Sequence, residues 1–164
     1  MNNSIPLFVN PYSRKFRLSL FHKIQRIARE KGISLTPVYH TDRLGDLLSK
    51  EKPPLLFVFG GDGTIHRILP ILTENSTPVL LLPSGLGNEL AHALGIPLHP
   101  LSSFPLWENG AVKKVCVGRI QKIWFINSAG TGIDSSVSFL RSCRRLPLPY
   151  LGYFFLTFPF LKSF

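Results

Sequence analysis

Three short runs of apolar residues organise the first half of the chain: residues 5–9 (IPLFV), 54–59 (PLLFVF) and 78–82 (PVLLL). None of them alternates with polar residues, and each ends at a turn-forming residue. Strands that are apolar on both faces are typical of a parallel sheet that helices cover on both sides. The pattern therefore predicts three buried parallel strands.

Segments with helical spacing separate the apolar runs. Residues 16–32 predict an amphipathic helix that ends at Gly32, and residues 33–40 predict a further strand. The apolar stripe of this helix comprises Leu20, Phe21, Ile24, Ile27 and Ala28.

Two more helices complete the alternation of strands and helices. Residues 41–52 predict one of them, and the other is expected to begin at Thr64 and to be shortened or kinked by Pro70. The resulting order predicts an α/β fold with a doubly wound, mainly parallel sheet, in which ligands bind beyond the carboxyl ends of the strands.

The pattern changes after Gly110. Residues 112–120 and 120–130 mix apolar and polar positions, as half-exposed antiparallel strands do, with no helix between them. We therefore expect an α/β domain over residues 1–110 and the start of an antiparallel β-domain over residues 111–164. Residues 146–161 form an uncharged apolar stretch that favours a C-terminal helix packed on a partner element over membrane contact.

The charge of the chain restricts its partners without choosing among them. A formal net charge of +10 should attract polyanions such as nucleotides, nucleic acids or anionic lipid head groups. The two cysteines lack the spacing of a disulfide framework, and the N-terminus lacks a basic region followed by a long apolar run. These features predict a cytoplasmic protein in a reducing environment.

A glycine-rich loop, GGDGT, follows the second apolar run at residues 60–64. Gly60, Gly61 and Gly63 would let backbone N–H groups approach a ligand closely, and Thr64 can cap the next helix, whose N-terminus favours anions. Asp62 would repel a phosphate, so its expected role is to hold Mg²⁺ or to take a proton from an attacking hydroxyl. The structural alternative is a tight turn with a capping aspartate.

A second loop repeats this arrangement after the third apolar run. Gly85 and Gly87 lead to Asn88, which can cap a helix that begins at Glu89. Because neighbouring parallel strands end at one edge, the two glycine loops are expected to lie side by side around one shared ligand. The sequence contains neither GxxxxGK[ST] nor GxGxxG, which excludes the P-loop and the dinucleotide fingerprint.

Five segments together resemble the diacylglycerol kinase catalytic domain superfamily, which includes bacterial lipid kinases and the sphingosine and ceramide kinases. The matching segments are VNPYSRK (9–15), Thr41, GGDGT (60–64), PSGLGNELAHALGIP (83–97) and FINSAGTGIDSSV (125–137). Their order and spacing fit the family pattern. GGDGT alone is shared with NAD kinases, but residues 83–97 resemble the lipid branch.

The resemblance implies an ATP-dependent lipid kinase that uses Mg²⁺ and transfers the γ-phosphate to a lipid hydroxyl. Asp62 would be the catalytic residue and would act together with Mg²⁺, and Asp134 would lie near the lipid or the domain interface. The nucleotide would lie over Asn10, Pro11, Ser13, Arg14, Thr41, Gly60, Gly61, Asp62, Gly63, Thr64, Gly85, Gly87 and Asn88.

Four positions depart from the pattern of the family. Arg14 replaces a glycine and could contact phosphate directly, His66 replaces an asparagine, and Glu89 replaces an aspartate. Leu86 replaces a threonine or serine and cannot donate that residue's hydrogen bond to a nucleotide, which is worth roughly 1–3 kcal/mol.

Members of the family continue through a β-sandwich that, by resemblance, supplies further acidic residues and much of the lipid cleft. The expected partners are a lipid substrate at a membrane surface and a second polypeptide, or a second copy of the chain, that completes the β-domain. No specific nucleic acid is expected, and the cytoplasmic protein would associate peripherally with the inner membrane surface. The alternatives are an inactive truncated remnant that binds nucleotide or membrane and an NAD kinase-like enzyme.

Overall fold

The computed structural model describes residues 4–127 and residue 129. The strands are β1 (Ser4–Val9), β2 (Ser34–Val38), β3 (Leu56–Gly60), β4 (Val79–Pro83), β5 (Gly118–Ile120) and β6 (Ile123–Phe125). The helices are α1 (Leu18–Glu30), α2 (Thr41–Glu51), α3 (Asp62–Glu74), α4 (Glu89–Leu94), α5 (Pro100–Ser103) and α6 (Leu106–Asn109). The predictions of strands at residues 5–9, 33–40, 54–59 and 78–82 are confirmed by β1 to β4.

Strands β1 to β4 form a parallel sheet in the order β2-β1-β3-β4, and β5 and β6 form a separate antiparallel pair. The predicted α/β class is therefore confirmed. From β1 the chain goes to one side for β2 and to the other side for β3 and β4. This reversal creates a crevice between the carboxyl ends of β1 and β3, where ligands of doubly wound folds bind.

Each face of the parallel sheet carries its own hydrophobic layer. Alternate residues of β1 illustrate the division, because Leu7 and Val9 face the layer that contains α1, whereas Phe8 faces the layer that contains α2 and α3. All five residues of β3 are buried. This strand can therefore be stable only with helices on both sides, which explains why its sequence shows no polar alternation.

Helix α1 confirms the apolar stripe expected from its sequence. Phe21, Ile24 and Ala28 are buried against the sheet, and Leu20 and Ile27 are partly buried beside them. The helix ends at Glu30 with Lys31 as its C-cap, and Gly32 follows with a φ of +76°. A left-handed glycine after the last turn is the expected stop.

Helix α3 differs from its prediction in its first residue and in the effect of Pro70. It begins at Asp62 rather than Thr64, and Pro70 does not shorten it, since the helix continues to Glu74. Proline has no N–H group, so the carbonyl of His66 lacks the helical hydrogen bond that residue 70 would otherwise donate. Both Pro70 and His66 are exposed. Water can therefore hydrate that carbonyl, and the cost of the proline is lower than in a buried helix.

The region after β4 also differs from the sequence pattern. Two short helices, α5 and α6, precede the hairpin, and Pro100 at the first position of α5 favours its start. The strands expected over residues 112–120 and 120–130 are only three residues long each, and most of the residues over 111–117 are exposed. Among the described residues only β6 pairs with β5, so little of this stretch gains sheet hydrogen bonds.

The chain divides into two units, Met1–Asn127 and Ser128–Phe164. The second unit, which includes Asp134 and the stretch expected to form a C-terminal helix, lies outside the described residues apart from Ala129. The domain boundary expected at residue 111 stays a prediction. Within the part that the structure describes, no helix is both long and apolar enough to cross a membrane.

The two-sided core predicts a large difference between two leucine-to-alanine changes in helices. Leu44 of α2 is fully buried, whereas the side chain of Leu18 at the start of α1 is 59% exposed. We expect Leu44→Ala to lower the free energy of unfolding by roughly 2–5 kcal/mol. For Leu18→Ala the expected change is below about 0.5 kcal/mol. Urea denaturation of the two variants measures both values, and equal losses would contradict the layered core.

Candidate functional site

Three loops meet at the carboxyl edge of the parallel sheet. We call them the β1 loop (residues 10–15), the β3 loop (residues 60–64) and the β4 loop (residues 84–88). The backbone N–H of Asn10 donates to the carbonyl of Phe59 at 3.0 Å, and that of Ser84 donates to the carbonyl of Gly60 at 2.8 Å. The sheet hydrogen bonding is thus extended into the loops, which holds their backbones in fixed positions.

The β3 and β4 loops touch through glycine backbones. A Cβ added to Gly61 would lie 2.6 Å from the Cα of Gly85, and one added to Gly85 would lie 2.8 Å from the Cα of Gly61. Real Cβ atoms do not approach so closely, so both positions require glycine. The prediction that the two glycine loops lie side by side is confirmed.

Thr64 connects the β1 and β3 loops. Its hydroxyl oxygen accepts a hydrogen bond from the Asn10 side chain at 2.8 Å and a longer one from the N–H of Gly61 at 3.4 Å. The sequence predicted that Thr64 caps this helix. In the structure Gly61 occupies the N-cap position of α3 instead. Thr64 lies one turn later, and its hydroxyl reaches back to the cap residue.

Ser84 connects the β1 and β4 loops and was not predicted as a site residue. It is completely buried, its hydroxyl shares a 2.7 Å hydrogen bond with Ser13, and its carbonyl accepts from the N–H of Lys15 at 2.9 Å. Its position between the end of β4 and Gly85 is the signal that could have identified it. A polar residue at that point has no room in the core and must bond to a neighbouring loop.

Asp62 caps α4, the role that the sequence predicted for Asn88. Asn88 precedes α4 in the left-handed region, with φ +52°, and its side chain bonds back to the N–H and carbonyl of Gly85 at 2.8 and 3.1 Å. It therefore closes the β4 loop and does not cap α4. The Asp62 carboxylate, 27 residues earlier in the chain than Glu89, accepts the N–H groups of Glu89 and Leu90 at 3.1 and 3.0 Å.

This cap fixes the orientation of the Asp62 carboxylate. Each of its two oxygens accepts one backbone N–H group from α4. An ionised carboxylate has about four acceptor positions, so about half of them are left for another ligand. Asp62 is only partly buried, and its remaining positions can bind a cation or receive a proton.

Gly63 leaves open space above the first turn of α3. A Cβ added there would meet no atom within 4 Å, and the residue has no positive φ. Nothing in the described part of the chain therefore requires glycine at this position. Within the same part, the N–H groups of Asp62 and Gly63 have no acceptor. Free N–H groups at the start of a 13-residue helix bind anions readily.

The other residues implied by the resemblance lie around the same edge. Pro11 and Arg14 are exposed in the β1 loop, Gly87 is exposed in the β4 loop, and Thr41 is the first residue of α2. A Cβ added to Gly87 would lie 3.6 Å from an oxygen of Asp62. Among the described residues, the side chains of Arg14 and Thr41 have no hydrogen-bond partner, so they can contact a ligand.

A cavity of about 240 Å³ adjoins Asp62 on the side of α3. The walls are mainly apolar, and polar groups come from Asp62, His66 and Asn127. The lining residues are Asp62, Gly63, Ile65, His66, Leu90, Ile126 and Asn127. This cavity was not predicted from the sequence, although the spacing of Asp62 and His66, one turn apart on α3, places both on one helix face. A larger cavity of about 470 Å³ lies beside α2 and contains none of the predicted site residues.

The donor set at the edge fits Mg²⁺ only together with phosphate. No group of three or more His, Cys, Asp or Glu side chains within the described residues could hold a metal ion. Mg²⁺ commonly binds one or two carboxylates and completes its shell with water and substrate phosphates. Asp62, with acceptor positions free beside the open N-terminus of α3, meets that requirement.

Comparison with known proteins agrees with the architecture. The diacylglycerol kinase catalytic domain model matches residues 4–120. A diacylglycerol kinase from Mycobacterium tuberculosis is 30% identical over 105 residues, which are 60% of this chain and 34% of that protein. A diacylglycerol kinase from Staphylococcus saprophyticus is 27% identical over 149 residues, which are 85% of this chain and 48% of that protein.

The same fold occurs in a crystal structure of a diacylglycerol kinase from Bacillus anthracis. The two structures superpose with a TM-score of 0.63 at 22% identity, over 75% of this chain and 48% of the other. The chain thus spans between about a third and a half of the length of these three relatives.

The glycines of the β3 loop predict opposite effects on stability. Gly61→Ala should lower the free energy of unfolding by roughly 1–3 kcal/mol, because the new methyl group collides with the Gly85 backbone. Gly63→Ala should raise it by about 0.5–1 kcal/mol, because alanine fits an open helical position. Urea denaturation measures both changes. A destabilised Gly63→Ala protein would show that the space above α3 is not open.

Proposed function

The chain belongs to the diacylglycerol kinase catalytic domain family, and from this premise we propose that residues 4–127 form the nucleotide-binding lobe of an ATP-dependent lipid kinase. The enzyme transfers the γ-phosphate of ATP to a lipid hydroxyl. One observation carries the proposal: at the point where the strand order reverses, a carboxylate held by two N–H groups lies beside the unobstructed N-terminus of α3.

The triphosphate binds across the three loops. Its charge is attracted by the free N–H groups of Asp62 and Gly63 and by the dipole of α3. Arg14 in the neighbouring β1 loop is exposed and can form a bidentate contact with a phosphate group. The contact between Gly61 and Gly85 fixes the backbones of the β3 and β4 loops beside the position proposed for the phosphates, since a side chain at either residue would collide with the backbone of the other.

Asp62 acts on the transferred group and on its acceptor. It would hold Mg²⁺, which neutralises charge on the phosphate oxygens when it is bound. The oxygen of the lipid hydroxyl forms a bond to the γ-phosphorus while the bond from that phosphorus to the bridging oxygen breaks, and ADP leaves. The proton of the hydroxyl passes to an acceptor at the site, for which the free positions on Asp62 are suited.

The antiparallel hairpin is the place where a further polypeptide contributes. Its two strands have three residues each, and Ile120 and Ile123, which face each other across the pair, are 57% and 64% exposed. Two strands alone are marginally stable in water. Additional strands, from another polypeptide or from a second copy of the chain, would cover these isoleucines. The net charge of +10 supports peripheral association with an anionic membrane, where the lipid substrate resides.

Calorimetric titration with Mg²⁺-ATP tests the nucleotide site. The wild-type chain should bind, and Gly63→Ala should weaken binding by tenfold or more, because its methyl group occupies the space for phosphate. Gly45→Ala is the matched control, since Gly45 lies within α2 and a Cβ there would only touch Ile71 at 4.0 Å. Failure of the folded wild-type chain to bind at millimolar ATP would contradict the proposal.

Transfer of labelled phosphate to diacylglycerol in mixed vesicles tests the role of Asp62. Asp62→Asn should reduce the rate by about 10²–10⁴-fold, because the amide neither takes a proton nor binds Mg²⁺ well. The fold should survive, since the amide oxygen still accepts an N–H group from α4. Asp46→Asn removes a charge from α2, where the carboxylate is exposed and, among the described residues, pairs only with Lys50. This change should leave the rate unchanged. With a preparation in which the wild-type chain transfers phosphate, an equal rate for Asp62→Asn would refute the role of Asp62.

A further inference from the structure

The cavity beside Asp62 combines apolar walls with polar groups at one side. Ile65 of α3, Leu90 of α4 and Ile126, which follows β6, form the apolar part of the lining. All three also pack on the same hydrophobic layer of the core. The walls are therefore fixed by the fold. A cavity with such walls favours the apolar part of a ligand over water.

His66 is the polar residue of this cavity that the fold does not otherwise use. Its side chain is exposed, and among the described residues it has neither a hydrogen bond nor an ion pair. It lies one helical turn after Asp62 on α3, so both side chains project toward the same cavity. An imidazole ring at this position has no packing task in the part of the chain that the structure describes.

The other polar groups of the cavity have tasks of their own. The Asp62 carboxylate caps α4 with both oxygens. Asn127 has a φ of +75°, a conformation that asparagine tolerates better than most residues. The need for this backbone turn can account for Asn127. His66 is left as the polar residue of the cavity lining for which the described residues show no structural task.

We propose that His66 is a specificity-determining residue of the acceptor site, and that its imidazole hydrogen-bonds the polar head of the lipid next to the hydroxyl that receives the phosphate. This inference rests on the proposed function. A neutral imidazole offers one donor and one acceptor, which suits a glycerol backbone whose free hydroxyl neighbours an ester oxygen. The apolar walls contact the first methylene groups of the same lipid.

The volume of the cavity sets the part of the lipid that it recognises. About 240 Å³ is below the roughly 300–1,000 Å³ of sites that enclose a whole drug-sized ligand. The described residues can therefore surround the head and the beginning of the chains, while the remaining chain length lies elsewhere. His66 would accordingly discriminate among lipid heads and not among chain lengths.

Imidazole resonances test this contact without any turnover. The chain has five histidines, at positions 22, 40, 66, 92 and 99, so the His66 signal can be assigned from its loss in His66→Asn. Short-chain 1,2-dihexanoylglycerol is titrated into the full chain with Mg²⁺ and a non-hydrolysable ATP analogue. The His66 signal should shift in a saturable manner while the other four stay in place.

Two other results would overturn the inference. One of them contradicts only the role of His66, and the other also contradicts the proposed function. If the analogue binds but His66 does not shift, or if the exposed His92 shifts equally, His66 does not contact the acceptor and the nucleotide site is unaffected. If the folded chain binds neither the analogue nor the lipid, the proposed function fails together with the inference.

Kinetics with a preparation that transfers phosphate separate lipid recognition from nucleotide recognition. His66→Leu should raise the KM for dihexanoylglycerol by about five- to tenfold through the lost hydrogen bond, with the KM for ATP unchanged. His66→Asn should stay close to wild type, because an amide also donates and accepts. His92→Leu on α4 is the matched control and should have no effect. An unchanged lipid KM in His66→Leu would overturn the role of His66.

Discussion

The backbone of Gly61 lies against the backbone of Gly85, and the geometry of the whole carboxyl edge depends on this contact. Parallel pairing of β3 with β4 brings the two loops to the same place. Only glycine permits the chains to pass so closely, since a methyl group on either residue would overlap the other. Once the loops are joined, Ser84 is buried between them and the β1 loop, and Asp62 comes within reach of α4.

Asp62 shows how a residue with a proposed chemical role can also stabilise the structure that presents it. Helix α4 has only six residues and would be marginal alone. The carboxylate satisfies two of its N–H groups, and those groups in turn hold the carboxylate in one orientation. The adjacent Gly63 has the opposite character, because alanine would suit the helix better. Open space at that position is kept at a cost in stability, which is common where a ligand must approach.

The sequence predicted the elements that depend on the local pattern of apolar and polar residues. β3 is buried on both sides and is apolar throughout, and the stripe on α1 has helical spacing, so neighbouring residues carried enough information. The cap of α4 by Asp62 could not be predicted, because it joins residues 27 positions apart and an asparagine stood at the obvious position. Ser84 was not predicted for the same reason, since its hydroxyl bonds to Ser13, which lies 71 positions earlier. The prediction for Pro70 in α3 was wrong because the free-energy cost of a proline inside a helix depends on its exposure. Exposure is set by the tertiary structure and not by the local sequence.

The charges at the edge explain why a divalent cation belongs to the proposed reaction. A triphosphate above Gly63 would place several negative charges near the Asp62 carboxylate. At separations of a few ångströms such repulsion amounts to several kcal/mol even at a partly screened site. The dipole of α3 and the exposed Arg14 would offset part of this repulsion. A cation held at a position beside the free acceptor sites of Asp62 would neutralise charge on both anions and so reduce the repulsion. The two N–H groups from α4 would keep the carboxylate facing that position before the nucleotide arrives, so that little rearrangement would be needed when it binds.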